Sequence, residues 1–189
     1  CHNSIKEQLK ESIESILNQT YSNFEFLIAD NGESFDLKSF IDDFKDSRIK
    51  YIKNTPIIHP ALSYDNLAYI SKGKYIAIQD HDDISLPERL QIQKEVLDNE
   101  PNLQSVSTRI HIFGKMNKDD GIAMNPEQLK QELLFWQPIK QPTFMKRKEF
   151  CNNYKYDFNR FCYDFEFWSR TRNIPHKIID KVLLNYRKD

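Results

Sequence analysis

The sequence is poor in the residues on which several common kinds of site depend. It has four glycines in 189 residues, and neither GxGxxG nor GxxxxGK[ST] occurs in it, which excludes a glycine-rich phosphate loop. Its three cysteines (Cys1, Cys151 and Cys162) show no CxxC spacing, so we expect free thiols in a reducing compartment rather than a zinc site. No apolar run approaches the roughly 20 residues that a membrane-spanning helix needs.

An excess of charge of one sign is also missing. The chain has 27 Lys and Arg against 28 Asp and Glu, a formal net charge of −1. Proteins that track nucleic-acid phosphates carry a clear basic excess, so nucleic acid is not an expected partner. A hydrophobic share of 39% with 13% aromatic residues is typical of a packed globule, and the length predicts one domain.

Helical and strand patterns alternate through the first hundred residues. S-x-x-E patterns at Ser4 and Ser85 predict capping boxes in front of two helices, and residues 126–136 read as a later helix. Alternation of this kind predicts an α/β fold with a largely parallel sheet, whereas the later half of the chain is more mixed. The single domain, 1–189, therefore divides into a first half, 1–100, and a second half, 101–189.

The most unusual segment is KYIAIQDHDDI, residues 74–84, where a short apolar strand leads directly into Asp80, His81, Asp82 and Asp83. Each carboxylate raises the pKa of the others unless positive charge lies among them. The segment is therefore either a solvated acidic turn or a site for a cation. Ligands of such sheets bind beyond the carboxyl ends of strands, where this segment lies, and this position favours the cation site.

Four segments, in this order, resemble glycosyltransferase family 2. They are SILNQTYSNFEFLIADNG (15–32), GKYIAIQDHDDISLPERLQ (73–91), YDFEFWSR (163–170) and VLLNYR (182–187). The resemblance implies the GT-A nucleotide-sugar fold, a Rossmann-like three-layer α/β/α arrangement around a mixed, mostly parallel central sheet. Cys1-His2-Asn3 resembles the end of the family's opening strand, so we expect an apolar strand in front of Cys1.

The resemblance makes 1–100 the nucleotide-sugar-binding half, with Asp80-His81-Asp82 as its metal-binding D-x-D segment. The family uses this segment to hold Mg²⁺ or Mn²⁺ against the donor diphosphate, and hard cations of this kind prefer carboxylate oxygen. We expect Asp82 to ligate the cation directly and Asp80 to face the ribose or a metal-bound water. His81 is expected to be a neighbour of the nucleotide-sugar rather than a ligand of the metal.

Three further residues are predicted to bind the nucleotide-sugar by the same resemblance: Asn3, Asp30 and Asn31. Asn31 stands where the family commonly has an Asp that reads the uracil edge. An amide offers both a donor and an acceptor, so uracil stays possible and another base stays open.

The second half, 101–189, is expected to bind the acceptor and to supply the catalytic base, which the resemblance assigns to Asp164. From the residues alone, Asp164 is equally well a helix cap or a surface carboxylate. Arg187 either meets the diphosphate or pairs with a surface carboxylate. Tyr154 or Tyr156 is a candidate for stacking on an acceptor sugar.

The resemblance implies a metal-dependent, inverting enzyme that moves a sugar from a UDP-sugar to a glycan or glycolipid in the synthesis of a cell-surface polysaccharide. The expected location is cytoplasmic, with peripheral contact at the inner face of a membrane. The alternative is a degenerate module of the same fold that binds a nucleotide or a partner without catalysis. The sequence gives no indication of oligomeric state.

Overall fold

The computed structural model of the chain describes residues 1–160 and 162–188. Its first part contains α1 (Lys6–Leu17), β1 (Phe26–Asp30), α2 (Leu37–Asp42), β2 (Ile49–Lys53), α3 (Pro60–Ile70), β3 (Tyr75–Ala77), β4 (Ile84–Ser85) and α4 (Arg89–Asn99). The second part contains β5 (Ser105–Gly114), β6 (Lys118–Asp120), α5 (Pro126–Glu132), a 3-10 turn (Gln141–Thr143), β7 (Met145–Arg147), α6 (Lys148–Asn153), α7 (Tyr163–Thr171) and β8 (His176–Lys188). The predicted α/β alternation is confirmed.

The strands form two sheets. Strands β1 and β2 pair in parallel, and a six-stranded sheet has the order β3-β7-β5-β8-β4 with β6 added beside β5. Within it β5 and β8 are parallel, whereas β3–β7, β4–β8, β5–β6 and β5–β7 are antiparallel. The mixed sheet is confirmed, but parallel pairs do not predominate in the described residues. Short connections such as the one between β5 and β6 permit only antiparallel pairing.

Each sheet has its own apolar core. Helices α1 and α2 cover the β1–β2 pair, and Leu9, Ile13, Leu37 and Ile41 of these helices share one core with Ile28 of β1. A larger core, rich in aromatic rings, lies beneath the six-stranded sheet and includes Phe144, Phe150, Phe167, Trp168 and Ile178. These two cores fix the strand ends from which the polar side chains project.

An apolar cleft of about 390 Å³ lies between β1 and β3, with Phe26, Leu27, Ile76, Leu90 and Met145 among its lining residues. Cys1 lies beside the end of β1, where its ammonium nitrogen donates to the Ala29 carbonyl (2.5 Å) and its carbonyl accepts from the Asn31 N–H (2.9 Å). This is the hydrogen-bond pattern of a parallel ladder. The opening strand expected in front of Cys1 stays a prediction.

Three local predictions about helices are wrong. The Ser4 hydroxyl and N–H both donate to the Glu33 carboxylate (2.7 and 2.8 Å), so α1 begins without the predicted capping box. The Ser85 hydroxyl donates to Gln79 Oε1 (2.6 Å) instead of capping α4. Helix α5 also ends at Glu132, four residues before the predicted end.

None of the described helices has the length and apolar character needed to cross a bilayer.

Candidate functional site

The acidic segment forms the connection between β3 and β4 and borders a cavity of about 440 Å³. Asp80, His81 and Asp82 all line this cavity, as do Asn31 and Tyr163. The structure therefore brings four of the predicted nucleotide-sugar-binding residues to one place, together with the residue next to the predicted base.

Asp80 is the most constrained acid of the D-x-D segment. Its Oδ1 accepts a hydrogen bond from the Tyr64 hydroxyl (3.0 Å), and its backbone carbonyl accepts one from the Ser12 hydroxyl (2.8 Å). Burial, reinforced by the charge of Asp82, raises the pKa of Asp80, although the hydrogen bond from Tyr64 acts in the opposite direction. Asp80 is thus held in place beside a second carboxylate.

Asp83 adds a third, deeply buried carboxyl group, only 1% exposed. Its Oδ1 accepts from the Arg187 N–H (2.9 Å), and its Oδ2 has no hydrogen-bond partner among the described residues. Burial, followed by the charges of Asp80 and Asp82, raises the pKa of Asp83 to about 7. The connection therefore concentrates more negative charge than its protein partners neutralise.

Arg89 is the buried cation beneath these acids. Its guanidinium donates to the Ile78 carbonyl (2.7 Å), the Ser85 hydroxyl (2.8 Å) and Gln79 Oε1 (3.0 Å), and so fastens both ends of the acidic connection. Burial lowers the pKa of Arg89 to about 10, against the opposing fields of Asp83 and Asp80. Arg89 consequently remains charged at neutral pH and offsets part of the acid cluster.

Arg187, on β8, holds the outer side of the same connection. Its Nε donates to the Asp82 carbonyl (2.9 Å), its N–H to Asp83, and its Nη2 pairs with the exposed carboxylate of Glu11. Of the two roles considered for Arg187, the structure shows pairing with a surface carboxylate. The residue fixes the path of the backbone that carries Asp82.

Asp164 lies in the first turn of α7, beside the cavity. Its Oδ1 accepts from the Phe165 N–H (2.9 Å) and its Oδ2 from Gln137 Nε2 (3.3 Å). Burial and the charges of Asp164 and Asp80 together raise the pKa of Tyr163, which lines the cavity. The charge of the predicted base and the charge of Asp80 in the D-x-D segment therefore both act on Tyr163.

The amide of Asn31 is already occupied within the protein. Its Nδ2 donates to the Ile58 carbonyl (2.8 Å) and its Oδ1 accepts from the Ile58 N–H (3.0 Å). Reading a nucleobase through this amide would require these bonds to exchange. Asp30 does not line the cavity, because its carboxylate accepts from the Tyr51 hydroxyl (2.7 Å) and from the Gly32 N–H (3.0 Å) in the turn after β1.

Asn3 also lies outside the cavity. It is exposed, with φ of 52°, and its Nδ2 lies 3.2 Å from His2 Nε2. His2, to which no role was predicted, lines the cavity and places its Nδ1 2.9 Å from the Asn31 carbonyl. Asn3 thus reaches the site only through His2.

Besides His2, sequence reasoning missed three residues of the site. Tyr64 and Tyr186 line the cavity, and burial followed by the charges of Asp83, Asp80 and Asp82 raises the pKa of Tyr186. Lys140 lines an adjoining cavity of about 570 Å³ that shares Asp82 and Tyr186 with the first one. Tyr186 lies within VLLNYR, a segment that resembles the family. Tyr64 and Lys140 lie in no sequence motif that could have identified them.

The predicted stacking role of Tyr156 does not fit the structure. The residue is 5% exposed, its ring packs against Phe167 at 4.4 Å between centroids, and its hydroxyl accepts from Gln141 (2.8 Å). Tyr154 packs against Phe150 at 5.0 Å in the same aromatic core. Their rings belong to the packing beneath the sheet.

The donor set suits a hard divalent cation that is shared with a ligand. Within 1–160 and 162–188, no three or more His, Cys, Asp or Glu side chains are grouped so as to hold a metal ion alone. Mg²⁺ and Mn²⁺ need only one or two protein carboxylates when phosphates and waters complete their shell. The unpartnered Asp83 Oδ2 and the raised pKa of Asp80 indicate that the ionised acids are destabilised here, and a cation beside them would favour their ionised form.

Comparisons with known proteins identify the family of the chain. Residues 1–170 match the family described as "Glycosyl transferase family 2". The chain is 32% identical to an uncharacterized glycosyltransferase of Methanocaldococcus jannaschii, over 98% of this chain and 68% of that protein. It is also 32% identical to the O-antigen biosynthesis glycosyltransferase WbnJ of Escherichia coli, over 93% of this chain and 72% of WbnJ.

Among solved structures, S. aureus TarS 1-349 in complex with UDP-GlcNAc superimposes with a TM-score of 0.79 at 13% identity, over 100% of this chain and 57% of that one. At this identity the likeness shows a common fold. The chain thus spans a little over half the length of the TarS fragment.

Proposed function

Since the chain belongs to glycosyltransferase family 2 and has its GT-A fold, we propose that it transfers a sugar from a UDP-sugar to a saccharide or glycolipid acceptor, with inversion and with a divalent cation. The observation that carries the proposal is the cavity that Asp80, Asp82 and Tyr163 line together, because Asp164 is the residue next to Tyr163 in α7. WbnJ, named for O-antigen biosynthesis, supports an acceptor in a cell-surface glycan. Cytoplasmic location and peripheral membrane contact stay predictions.

The donor side of the proposal rests on Asp82 and Asp80. A divalent cation bound there would supply the positive charge that stabilises a nucleoside diphosphate as the leaving group. Lys140 and Lys188 line the adjoining cavity beside Asp82 and add fixed positive charge next to the same phosphates. Arg89 and Arg187 act indirectly, by holding the backbone of residues 78–85.

The acceptor side rests on Asp164. A sugar hydroxyl has a pKa far above 7, so its attack on the anomeric carbon needs a carboxylate that takes the proton as the new bond forms. Gln137 and the Phe165 N–H each bind one oxygen of Asp164 and so orient the carboxylate. Attack from the face opposite the diphosphate, in a single displacement, inverts the anomeric centre.

Asp164→Asn tests the assignment of the base. The amide keeps an oxygen for the Phe165 N–H but cannot take a proton, so sugar transfer should fall by about 10²- to 10⁴-fold. Binding of UDP, measured by calorimetry, should stay within about threefold of wild type. Asp180→Asn, at a 74% exposed carboxylate in an ion pair with Arg109, is the matched control and should leave transfer unchanged.

The outcome separates the proposed enzyme from the non-catalytic alternative. A collapse of UDP affinity in Asp164→Asn would make the residue structural or donor-binding. Wild-type protein that binds UDP and transfers no sugar to any glycoside acceptor would favour the binding module.

Thermal unfolding with Mn²⁺ and UDP tests the shared cation site. A ligand that binds only the folded state raises Tm. When a cation and a diphosphate bind in contact, each strengthens binding of the other, and together they raise Tm by more than the sum of their separate effects. Mn²⁺ should therefore raise Tm further in the presence of UDP than in its absence, and Asp82→Asn should remove this difference. Equal shifts with and without UDP would contradict the site.

A further inference from the structure

Three consecutive apolar side chains after α5 face solvent. Leu134, Phe135 and Trp136 are 54%, 81% and 40% exposed, and we call residues 134–136 the aromatic rim. The segment is anchored on both sides, because Leu133 is fully buried and Ile139 is 2% exposed. Contiguous apolar surface of this kind on a folded domain indicates a place where a ligand or partner binds.

The aromatic rim is continuous with the predicted base. Gln137, the next residue, donates from Nε2 to Asp164 Oδ2 (3.3 Å) and to the Ile139 carbonyl (3.1 Å). Three residues further along, Lys140 lines the cavity that contains Asp82. The rim is thus joined through Gln137 to Asp164, the carboxylate beside which an acceptor hydroxyl must lie to lose its proton.

The chemistry around Trp136 suits a sugar ring. Its indole N–H donates to Glu132 Oε2 (2.5 Å), which fixes the ring and places a carboxylate at its edge. A pyranose has a face of C–H groups that packs on an aromatic ring and an edge of hydroxyls that donate to carboxylates. The charged residues of α5 are Glu127, Lys130 and Glu132, a net negative set that does not favour an anionic membrane surface.

We propose that the aromatic rim is the platform for the acceptor sugar, with its C–H face on Trp136 and a hydroxyl donating to Glu132. This assignment rests on the proposed function, because it places the acceptor beside Asp164. It names residues that position the acceptor and leaves the donor site unchanged.

Tryptophan fluorescence provides a direct test. The chain has two tryptophans, and Trp168 is fully buried, so acrylamide quenching reports on Trp136. With UDP and Mn²⁺ present, we would titrate methyl glycosides of glucose, galactose and N-acetylglucosamine. At least one should protect Trp136 from quenching. Glu132→Ala should weaken that glycoside's binding about tenfold, whereas the matched variant Glu127→Ala, on the same helix, should not.

The possible results are distinguishable. If UDP and Mn²⁺ bind but no glycoside protects Trp136, the rim proposal is overturned and the donor site stands. If vesicles of phosphatidylglycerol protect Trp136 and the glycosides do not, the rim is a membrane contact and the proposal is again overturned. If UDP and Mn²⁺ fail to bind, the proposed function fails and the rim proposal fails with it.

Discussion

Asp83→Asn should stabilise the metal-free protein at alkaline pH. The carboxyl group is buried, its Oδ2 has no partner among the described residues, and its pKa is raised from 3.8 to about 7 by burial and by Asp80 and Asp82. Ionised Asp83 therefore destabilises the folded state. The asparagine keeps an oxygen for the Arg187 N–H and carries no charge.

The sign and size of the effect follow from proton linkage. Between pH 4 and pH 7 the folded state binds more protons at Asp83 than the unfolded chain does, so wild-type stability from this group falls as pH rises through that window and is constant above it. The two pKa values differ by about 3, which corresponds to at most about 4 kcal/mol. A buried amide N–H without a partner offsets about 1–2 kcal/mol of the gain. We expect Asp83→Asn to be about 2–3 kcal/mol more stable at pH 8 and within about 1 kcal/mol of wild type at pH 4.

Urea unfolding followed by circular dichroism, with EDTA present, measures this difference at pH 4, 6 and 8. Subtracting the unfolding free energy of wild type from that of the variant at each pH removes the contribution of every other titrating group that the substitution leaves unchanged. Asp180→Asn, at an exposed carboxylate, should show no dependence on pH in the same subtraction. A difference for Asp83→Asn that stays constant from pH 4 to pH 8 would refute the argument that the acid cluster is desolvated.

Two further substitutions test the buried polar groups. Arg89→Met removes the buried cation near Asp80 and Asp83 and should destabilise the protein by about 3–5 kcal/mol at pH 8 and by less at pH 5; equal losses at both pH values would contradict this role. His176 is buried with its Nδ1 2.8 Å from Ser105 Oγ, and burial lowers its pKa from 6.5 to about 4. Its contribution to the free energy of unfolding should therefore fall by about 3 kcal/mol as pH drops from 6.5 to 4. His176→Gln should lack this loss in urea unfolding. Parallel pH profiles for variant and wild type would contradict the prediction.

Features confined to a short stretch of sequence were predictable. The acids at residues 80–83 follow an apolar strand, and Asp80 and Asp82 line a cavity beyond it, where the local pattern predicted a ligand site. Asp164 lies in the first turn of a helix, as its local pattern indicated, but its assignment as the base came from the family resemblance. Features that depend on distant partners were not. The Ser4 hydroxyl meets Glu33, 29 positions away, and this contact replaces the capping box that the local pattern indicated.

The same physical reason explains the residues whose roles changed. Asp30 and Asn31 lie at the carboxyl end of β1 as expected. Tyr51 and Ile58, from later segments, bind their side chains. The aromatic rim was predicted as part of a helix. In the structure α5 ends at Glu132. Leu133 and Ile139 are buried, and the three side chains of the aromatic rim between them are exposed.

Arg187 binds the backbone of Asp82 and the side chain of Asp83 from more than a hundred positions further along the chain. During synthesis the acidic connection therefore leaves the ribosome long before the arginine that shapes it. Until β8 has formed beside β5, the acids repel one another without that restraint. The capacity to hold a nucleotide should accordingly appear late in folding, together with the complete six-stranded sheet, and a fragment that ends before β8 should not possess it.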